Sequence, residues 1–166
     1  MFGNAQEAGI ISMAISQVFQ CIMEAPNREF VLSISYMEIY NEVIKDLLCP
    51  ENDNLQIRES TDRGIFVGKL TDEVVGCAAD VNRLLMVGEG NRHTGETNMN
   101  EKSSRSHTVF RMSIESREKD LQNTHQFTGS VKVSQLTLVD LAGSERVSNT
   151  FAHGIRLKEG GMINKR

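Results

Sequence analysis

Apolar residues recur along the chain with two different periods, which predict helices and strands. From about Glu7 to Met23 they recur every three or four positions, so this segment is predicted to form an amphipathic helix that stops before Pro26. The segment FVLSISYMEIY, residues 30–40, has apolar residues on both faces of an extended chain, as in a strand covered on both sides. We expect a short helix, NEVIKDLL, to follow it directly.

The rest of the chain is predicted to contain two hairpins and a second helix. Two strand-like pieces, LQIRE and GIFVGKL, flank the polar turn STDRG and predict a small hairpin. A helix is expected from Ala79 to Val87 and is expected to end at Gly88. HTVFRMSIES alternates, with Phe110, Met112 and Ile114 on one side, and a polar stretch joins it to VKVSQLTLVD, so these two segments predict an antiparallel hairpin with a long tip. The remaining 26 residues predict a loop that only begins to become a helix.

Composition and charge narrow the class of protein. The 166 residues are 39% hydrophobic and 24% charged, which is typical of one globular domain or of one piece of a larger domain. The net charge of −4 argues against a nucleic-acid binder that works through bulk positive charge. Five basic residues and one acidic residue make residues 146–166 a local basic segment. The cysteines form no CxxC pair, and no apolar run approaches the roughly 20 residues that span a bilayer, so a soluble protein of a reducing compartment is expected.

The strand-like segment LTLVD is predicted to place Asp140 at its end, and Gly143 follows three residues later. In open α/β sheets, ligands bind outside the carboxyl ends of the strands. A carboxylate there can hold a water on Mg²⁺, and a glycine can bring its backbone N–H against a terminal phosphate. The alternative for this motif alone is an aspartate that ends a strand for reasons of turn chemistry.

A second polar segment, NMNEKSSRSH at residues 98–107, contains three hydroxyls, two amides, an arginine and a histidine. Hydroxyls can ligate Mg²⁺ or orient a water, and Arg105 can pair with an acid on another loop, with Glu145 as the expected partner. A solvated serine-rich loop is the alternative, and His107 is expected to be a packing residue rather than a base. A hydroxyl-rich loop, a strand and a DxxG motif follow one another in this order in nucleotide-triphosphate switches, so together they predict nucleotide sensing.

Four longer strings, SYMEIYNEVIKDLL, NRHTGETNMNEKSSRSHTVF, LVDLAGSER and RLKEGGMINK, closely resemble the kinesin motor domain. The resemblance covers nearly all of the chain, and SREK and LTDEVV are most similar to the centromere-associated mitotic group. A GTPase unrelated to kinesins does not account for SSRSH, EIYNE and RLKEG together. The resemblance implies an α/β fold of the P-loop NTPase type, with a central mixed β-sheet flanked by helices. It implies that the N-terminal P-loop part and the C-terminal helices lie outside residues 1–166, which are a partial motor domain.

The resemblance also assigns roles to individual residues. Residues 97–107 match switch I, residues 140–145 match switch II, and residues 156–166 match the start of the switch II helix region. The residues matched to nucleotide binding are Asn100, Ser103, Ser104 and Gly143. Those matched to metal binding are Ser104 and Asp140. Those matched to catalysis are Ser103, Arg105 and Glu145. Arg105 and Glu145 match the ion pair that closes the site for hydrolysis. The positions matched to the microtubule-facing surface are Arg63, Arg156 and Lys158.

The expected activity follows from this assignment. The resemblance implies ATP and Mg²⁺ as ligands and a microtubule as partner, and it implies neither nucleic-acid binding nor membrane insertion. It also implies that the parent, the complete protein of which residues 1–166 are a part, forms a homodimer through a coiled coil absent from these residues. It implies that the protein is located in the cytoplasm, on the microtubule cytoskeleton, and that it is located at the spindle or kinetochore in mitosis. The parent is expected to be a microtubule-stimulated ATPase, whereas residues 1–166 contain no G-x-x-x-x-G-K-[ST] string and are expected to be inactive and poorly soluble alone. The alternative is a truncated, non-hydrolysing isoform that binds microtubules or has a regulatory role.

Overall fold

The computed structural model describes Gly3 and residues 7–93, 106–119 and 130–143. Two helices and seven strands lie within these residues. Their bounds are α1 Ile10–Met23, β1 Arg28–Tyr40, β2 Val43–Asp46, β3 Ile57–Ser60, β4 Gly64–Val67, β5 Glu73–Val75, α2 Ala78–His93, β6 His107–Glu118 and β7 Lys132–Asp140. In the described part of the chain, neither helix is long and apolar enough to cross a membrane.

The central sheet has the strand order β2-β1-β6-β7, and β5 also pairs with β1. Strand β1 runs antiparallel to β2 and to β5. An ion pair of 2.9 Å between Arg28 and Glu118 places the start of β1 beside the end of β6, as an antiparallel pair requires. Strands β3 and β4 form a separate two-stranded antiparallel sheet, which is the predicted small hairpin. The predicted α/β class is confirmed.

The chain divides into two compact units, each with its own apolar core. Residues 1–35, 72–86 and 110–138 form the first unit, and residues 36–71, 87–109 and 139–166 form the second. The buried apolar side chains of the first unit include Ile11, Ile15, Leu32, Ile34, Val75, Val81, Phe110 and Met112. The core cluster of the second unit is Met37, Ile44 and Leu55, with Ile39, Val67, Leu70 and Val109 packed against it. The spacing of Ile11 and Ile15 is the helical period that predicted α1.

The predicted helix NEVIKDLL is wrong, because its residues turn back and form strand β2. Asn41 and Glu42 both have positive φ, at 50° and 64°. Two consecutive residues in this left-handed region make the kind of tight turn whose twist matches a β-hairpin. Tyr40 therefore pairs with Val43, and the strand continues antiparallel to β1 as far as Asp46.

The predicted end of the second helix at Gly88 is also wrong, because α2 continues to His93. Gly88 has no side chain where α2 lies against Tyr36. A Cβ at this position would be 2.5 Å from Tyr36 Cδ1, which is closer than real Cβ contacts come. The glycine therefore allows a close approach between a helix and a tyrosine ring and does not end the helix.

The carboxylate of Asp80 accepts hydrogen bonds from the backbone just before α2, and its protonation can be followed through those backbone amides. Asp80 Oδ2 accepts the backbone N–H of Gly76 at 3.1 Å and that of Cys77 at 3.2 Å. The hydrogen bond from Gly76, together with the Cys77 thiol and amide, lowers the pKa of Asp80 below its ordinary 3.8. The stability from these bonds is thus present above the unfolded-state pKa and is lost as the pH falls through the lowered folded-state value.

We therefore expect the Gly76 and Cys77 amide resonances to shift with an apparent pKa below 3.8 when the complete motor domain is titrated by NMR. In Asp80→Asn this titration of the two amides should disappear. A midpoint at or above 3.8 for these amides would contradict the role given to the Asp80 carboxylate.

Candidate functional site

Three residues that the resemblance assigns to function lie in the described part of the chain. Asp140 is the last residue of β7 and is half-buried, and Gly143 follows it, also half-buried. Arg63 is exposed in the turn between β3 and β4. The remaining assigned residues lie outside the described residues, so their roles stay predictions: Asn100, Ser103, Ser104, Arg105, Glu145, Arg156 and Lys158.

A hydrogen bond joins the described ends of the two predicted switches. The backbone N–H of Ala142 donates to Nδ1 of His107 at 2.9 Å. His107 opens β6 and Ala142 follows the end of β7, so this contact also fits the predicted antiparallel hairpin. Because Nδ1 accepts this bond, we infer that the neutral ring carries its proton on Nε2. The imidazole therefore holds the backbone immediately before Gly143.

Arg92, near the end of α2, makes the next contact with the predicted switch I. Its Nη2 donates to the hydroxyl of Ser106 at 3.0 Å. Its Nε lies 3.5 Å from Glu38 Oε1, and its Nη1 lies 3.9 Å from Glu89 Oε2. The side chains of Arg92 and Glu38 are only 10% and 2% exposed, so water screens this ion pair weakly.

Tyr36 extends these contacts along β1. Its hydroxyl donates to the Glu89 carboxylate, and its ring is fully buried. Burial first, and then the hydrogen bond with Glu89 and the charge of that residue, raise the pKa of Tyr36 far above its ordinary value. Tyr36 therefore stays a neutral hydrogen-bond donor across the physiological pH range. We refer to the group formed by Tyr36, Glu38, Glu89, Arg92 and Ser106 as the Arg92 network.

The Arg92 network was not predicted from the sequence, although one signal for it is present in the pattern of strand β1. Glu38 lies two positions after Tyr36 and therefore on the same face of β1, which is buried. A carboxylate on a buried face requires a partner, since burying an unpaired charge is unfavourable. Arg92 was missed because the helix was predicted to end before it.

The predicted donor atoms suit Mg²⁺. The carboxylate of Asp140 and the hydroxyl of Ser104 are hard oxygen donors, which Mg²⁺ prefers, and Mg²⁺ usually keeps several of its waters. Among the described residues there is no group of three or more His, Cys, Asp and Glu side chains that could hold a metal ion. A site in which a hydroxyl and waters coordinate the metal, and one carboxylate holds one of those waters, is compatible with that finding.

Comparison with known proteins identifies the family. The family model of the kinesin motor domain matches residues 1–166. The chain belongs to the kinesin motor-domain family. It is 55% identical over 166 residues to kinesin-like protein KIN-7I of Oryza sativa subsp. japonica. It is 52% identical over 167 residues to human centromere-associated protein E. These alignments cover 99% of this chain but only 14% and 6% of the two relatives.

Solved kinesin structures have the same fold. A fast kinesin superposes with a TM-score of 0.83 at 40% identity, covering 99% of this chain and 45% of that chain. A KIF14 dimer in the two-heads-bound state, with AMP-PNP and in complex with a microtubule, superposes with a TM-score of 0.82 at 36% identity, covering 99% and 47%. The chain thus spans less than half the length of these structures. The predicted kinesin motor fold and the resemblance to the centromere-associated group are confirmed.

Proposed function

We propose that this chain is the switch-bearing part of a microtubule-stimulated ATPase motor. In this proposal, residues 97–107 and 140–145 detect the γ-phosphate of ATP, and residues 156–166 begin the helix that follows switch II. The observation that carries the proposal is the hydrogen bond from Ala142 to His107, which would link the last residue of the proposed switch I to the middle of the proposed switch II. Membership of the kinesin family supports the nucleotide and the filament as ligands.

The residues of the two proposed switches would have different roles in ATP hydrolysis. Asp140, through a water, and Ser104 would hold Mg²⁺, which supplies positive charge to the phosphate oxygens when it is bound. The N–H of Gly143 would donate to the γ-phosphate, and Asn100 and Ser103 would contact the nucleotide and the attacking water. Arg105 and Glu145 would pair and close the site against bulk water. Because His107 holds Ala142, a shift of the backbone at Gly143 is transmitted to the start of β6.

The proposed filament contact is electrostatic and is made by Arg63, Arg156 and Lys158. A few cations on one surface can steer a protein to an acidic filament even when its net charge is negative. The KIF14 structure with a microtubule supports this partner for the family. Homodimerisation of the full-length protein, its place in the cytoplasm on microtubules, and its presence at the spindle or kinetochore are part of the same proposal. The likeness to centromere-associated protein E supports the last of these.

The proposal is tested by measuring ATP hydrolysis and microtubule co-sedimentation of the full-length protein. We expect slow hydrolysis without microtubules, a large increase with them, and co-sedimentation that is tighter with a non-hydrolysable ATP analogue than with ADP. Co-sedimentation that is the same with every nucleotide, together with no hydrolysis, would overturn the motor function. That result would instead identify a non-hydrolysing microtubule-binding or regulatory protein.

Arg63 offers a specific test of the filament surface. It is exposed at the tip of the β3–β4 hairpin, and its guanidinium lies 5.9 Å from the centre of the Phe66 ring. Arg63→Ala is expected to raise the microtubule concentration for half-maximal ATPase by about two- to fivefold, as the loss of one exposed charge pair allows. The difference should shrink at high salt, while the rate without microtubules stays unchanged.

The matched control for Arg63 is Arg83→Ala, which removes another exposed arginine, on α2. This variant should keep the wild-type dependence on microtubule concentration. An equal loss in the two variants would show that net charge, and not contact through the hairpin, determines filament binding.

A further inference from the structure

Asp46 is a buried carboxylate to which the proposed motor function assigns no role. It is the last residue of β2 and is 1% exposed. Its Oδ1 accepts the backbone N–H groups of Leu48 at 2.9 Å and of Cys49 at 3.1 Å. Its Oδ2 accepts the backbone N–H of Thr71 at 2.7 Å. A carboxylate removed from water needs hydrogen-bond donors, and three backbone amides supply them here.

The two oxygens of Asp46 bind the two chain segments between which the β3–β4 hairpin lies. Leu48 and Cys49 begin the segment that leads from β2 into β3, and Thr71 belongs to the segment that follows β4. The bond between Asp46 and Thr71 joins positions 25 residues apart, and the whole hairpin lies between them. Asp46 therefore ties the segment that enters the hairpin to the segment that leaves it.

Asn52 makes a second connection between the same two segments. Its backbone C=O accepts the N–H of Asp46 at 3.1 Å. Its side-chain amide donates to the C=O of Lys69 at 3.3 Å and to the hydroxyl of Thr71 at 3.4 Å. We refer to Asp46, Asn52 and Thr71 as the Asp46 clamp. The clamp and the β3–β4 hairpin both lie within the second compact unit, so these contacts belong to one packed body.

The β3–β4 hairpin takes its direction from the backbone at its base. Asn54, before β3, and Lys69, after β4, both have positive φ, at 50° and 63°. Residues other than glycine seldom adopt this conformation, and it persists where surrounding contacts hold the backbone. The clamp supplies such a contact at the C=O of Lys69. Further along the hairpin, Ile57 and Ile65 are 65% and 74% exposed, so the base determines where the hairpin extends.

We propose that Asp46 is a positioning residue for filament binding: it holds the base of the β3–β4 hairpin and so determines where Arg63 meets the acidic filament. This inference rests on the proposed filament contact. Arg63 lies beyond the last pair of the hairpin, Ser60 with Gly64, so a rotation at the base displaces Arg63 more than it displaces the base itself. Asp46 is buried and acts only through the hairpin. Losing the clamp therefore weakens filament binding and leaves the rate at saturating microtubules nearly unchanged.

The test uses Asp46→Asn in the full-length protein, since asparagine keeps the shape of the side chain but replaces one accepting oxygen by an amino group. We expect the microtubule concentration for half-maximal ATPase to rise about two- to fivefold, the range expected for Arg63→Ala, with kcat changed by less than about twofold. The substitution removes a negative charge, which by itself would strengthen binding to an acidic filament. Weaker binding therefore reports the position of the hairpin and not the net charge.

Three further variants separate positioning from other effects. In the Arg63→Ala protein, Asp46→Asn should cause no further rise, because both changes affect the same contact. Asp53→Asn is the matched control, since it removes an exposed carboxylate from the segment that leads into β3, and it should keep the wild-type dependence on microtubules. Asn52→Ala removes the amide that reaches Lys69 and Thr71 and should raise the half-maximal concentration as Asp46→Asn does. If Asp46→Asn does not fold, the comparison of Asn52→Ala with Asp53→Asn still decides the role of the clamp.

Three results would overturn the role of Asp46. The first is an unchanged half-maximal microtubule concentration in folded Asp46→Asn. The second is a fall in kcat that matches the fraction of unfolded protein, with the half-maximal concentration unchanged. The third is a pair of rises that multiply when Asp46→Asn and Arg63→Ala are combined. Failure of the proposed filament contact is a separate result, because Arg63→Ala alone would then keep the wild-type dependence on microtubules.

Discussion

Asp140→Asn is expected to raise the Mg²⁺ concentration for half-maximal ATPase of the full-length protein by about 10- to 100-fold, the usual effect of removing a partner that holds a metal through its outer shell. The carboxylate at the end of β7 is proposed to bind a water on the metal. An amide has the same shape but carries no negative charge, so it holds such a water weakly. The measurement is the ATPase rate as a function of free Mg²⁺ at saturating ATP, and much of the rate should return at high Mg²⁺.

The control for this variant is Asp53→Asn, which removes a carboxylate from an exposed position before β3. We expect its Mg²⁺ dependence to be that of the wild-type protein. If Asp140→Asn is folded and has an unchanged Mg²⁺ requirement, the metal-binding role of Asp140 is wrong. If the rate falls by the same factor at every Mg²⁺ concentration, Asp140 helps to position the proposed switches and does not bind the metal.

Gly88→Ala is expected to reduce the free energy of unfolding by about 1–3 kcal/mol, the usual effect of overpacking. In an exposed helix interior the same change would be stabilising, because alanine is favoured over glycine by about 1 kcal/mol. Here the new methyl group would lie 2.5 Å from Tyr36 Cδ1 and 2.9 Å from Tyr36 Cε1. Both atoms belong to a buried ring whose hydroxyl is bound to Glu89, so the ring has little freedom to move aside.

Gly90→Ala is the matched control, because it is the same substitution two residues further along α2. A Cβ at Gly90 meets no atom within 4 Å, so this variant should gain up to about 1 kcal/mol from helix propensity. Denaturant unfolding of the two variants, monitored by circular dichroism, gives the sign of each change. Destabilisation of similar size in both variants would show that the close approach of Tyr36 to Gly88 is not the cause.

The Arg92 network connects the position of Gly88 to Ser106, in the predicted switch I. Tyr36 and Gly88 determine how closely α2 approaches β1, and Glu89, in the next position of the helix, accepts the Tyr36 hydroxyl. Arg92 lies one helical turn further on and reaches Ser106. A substitution at Gly88 is therefore expected to disturb the contact of Arg92 with Ser106 as well as the stability of the fold.

Local sequence patterns determined several elements of this protein. The apolar period identified α1, and the alternation from Phe110 to Glu115 identified β6. The polar turn STDRG identified the β3–β4 hairpin. These elements were predictable because burial of one helix stripe or of alternate strand positions leaves its period in the sequence. The family was also readable from the strings around both predicted switches, since each string keeps its residues close together along the chain.

The tertiary structure decided the features that depend on residues far apart in sequence or on backbone conformation. The apolar spacing of NEVIKDLL is compatible with a helix, but the left-handed conformations of Asn41 and Glu42 make it a strand that pairs with β1. Glycine is the residue type that commonly ends a helix, and Gly88 was therefore predicted to end α2. The ring of Tyr36 lies so close to Gly88 that a glycine is needed there inside the helix. The contacts of Arg92 with Glu38 and with Ser106 arise only when β1, α2 and the start of β6 meet. No local pattern encodes which distant side chain a buried charge will face, because that partner is determined by how the elements pack.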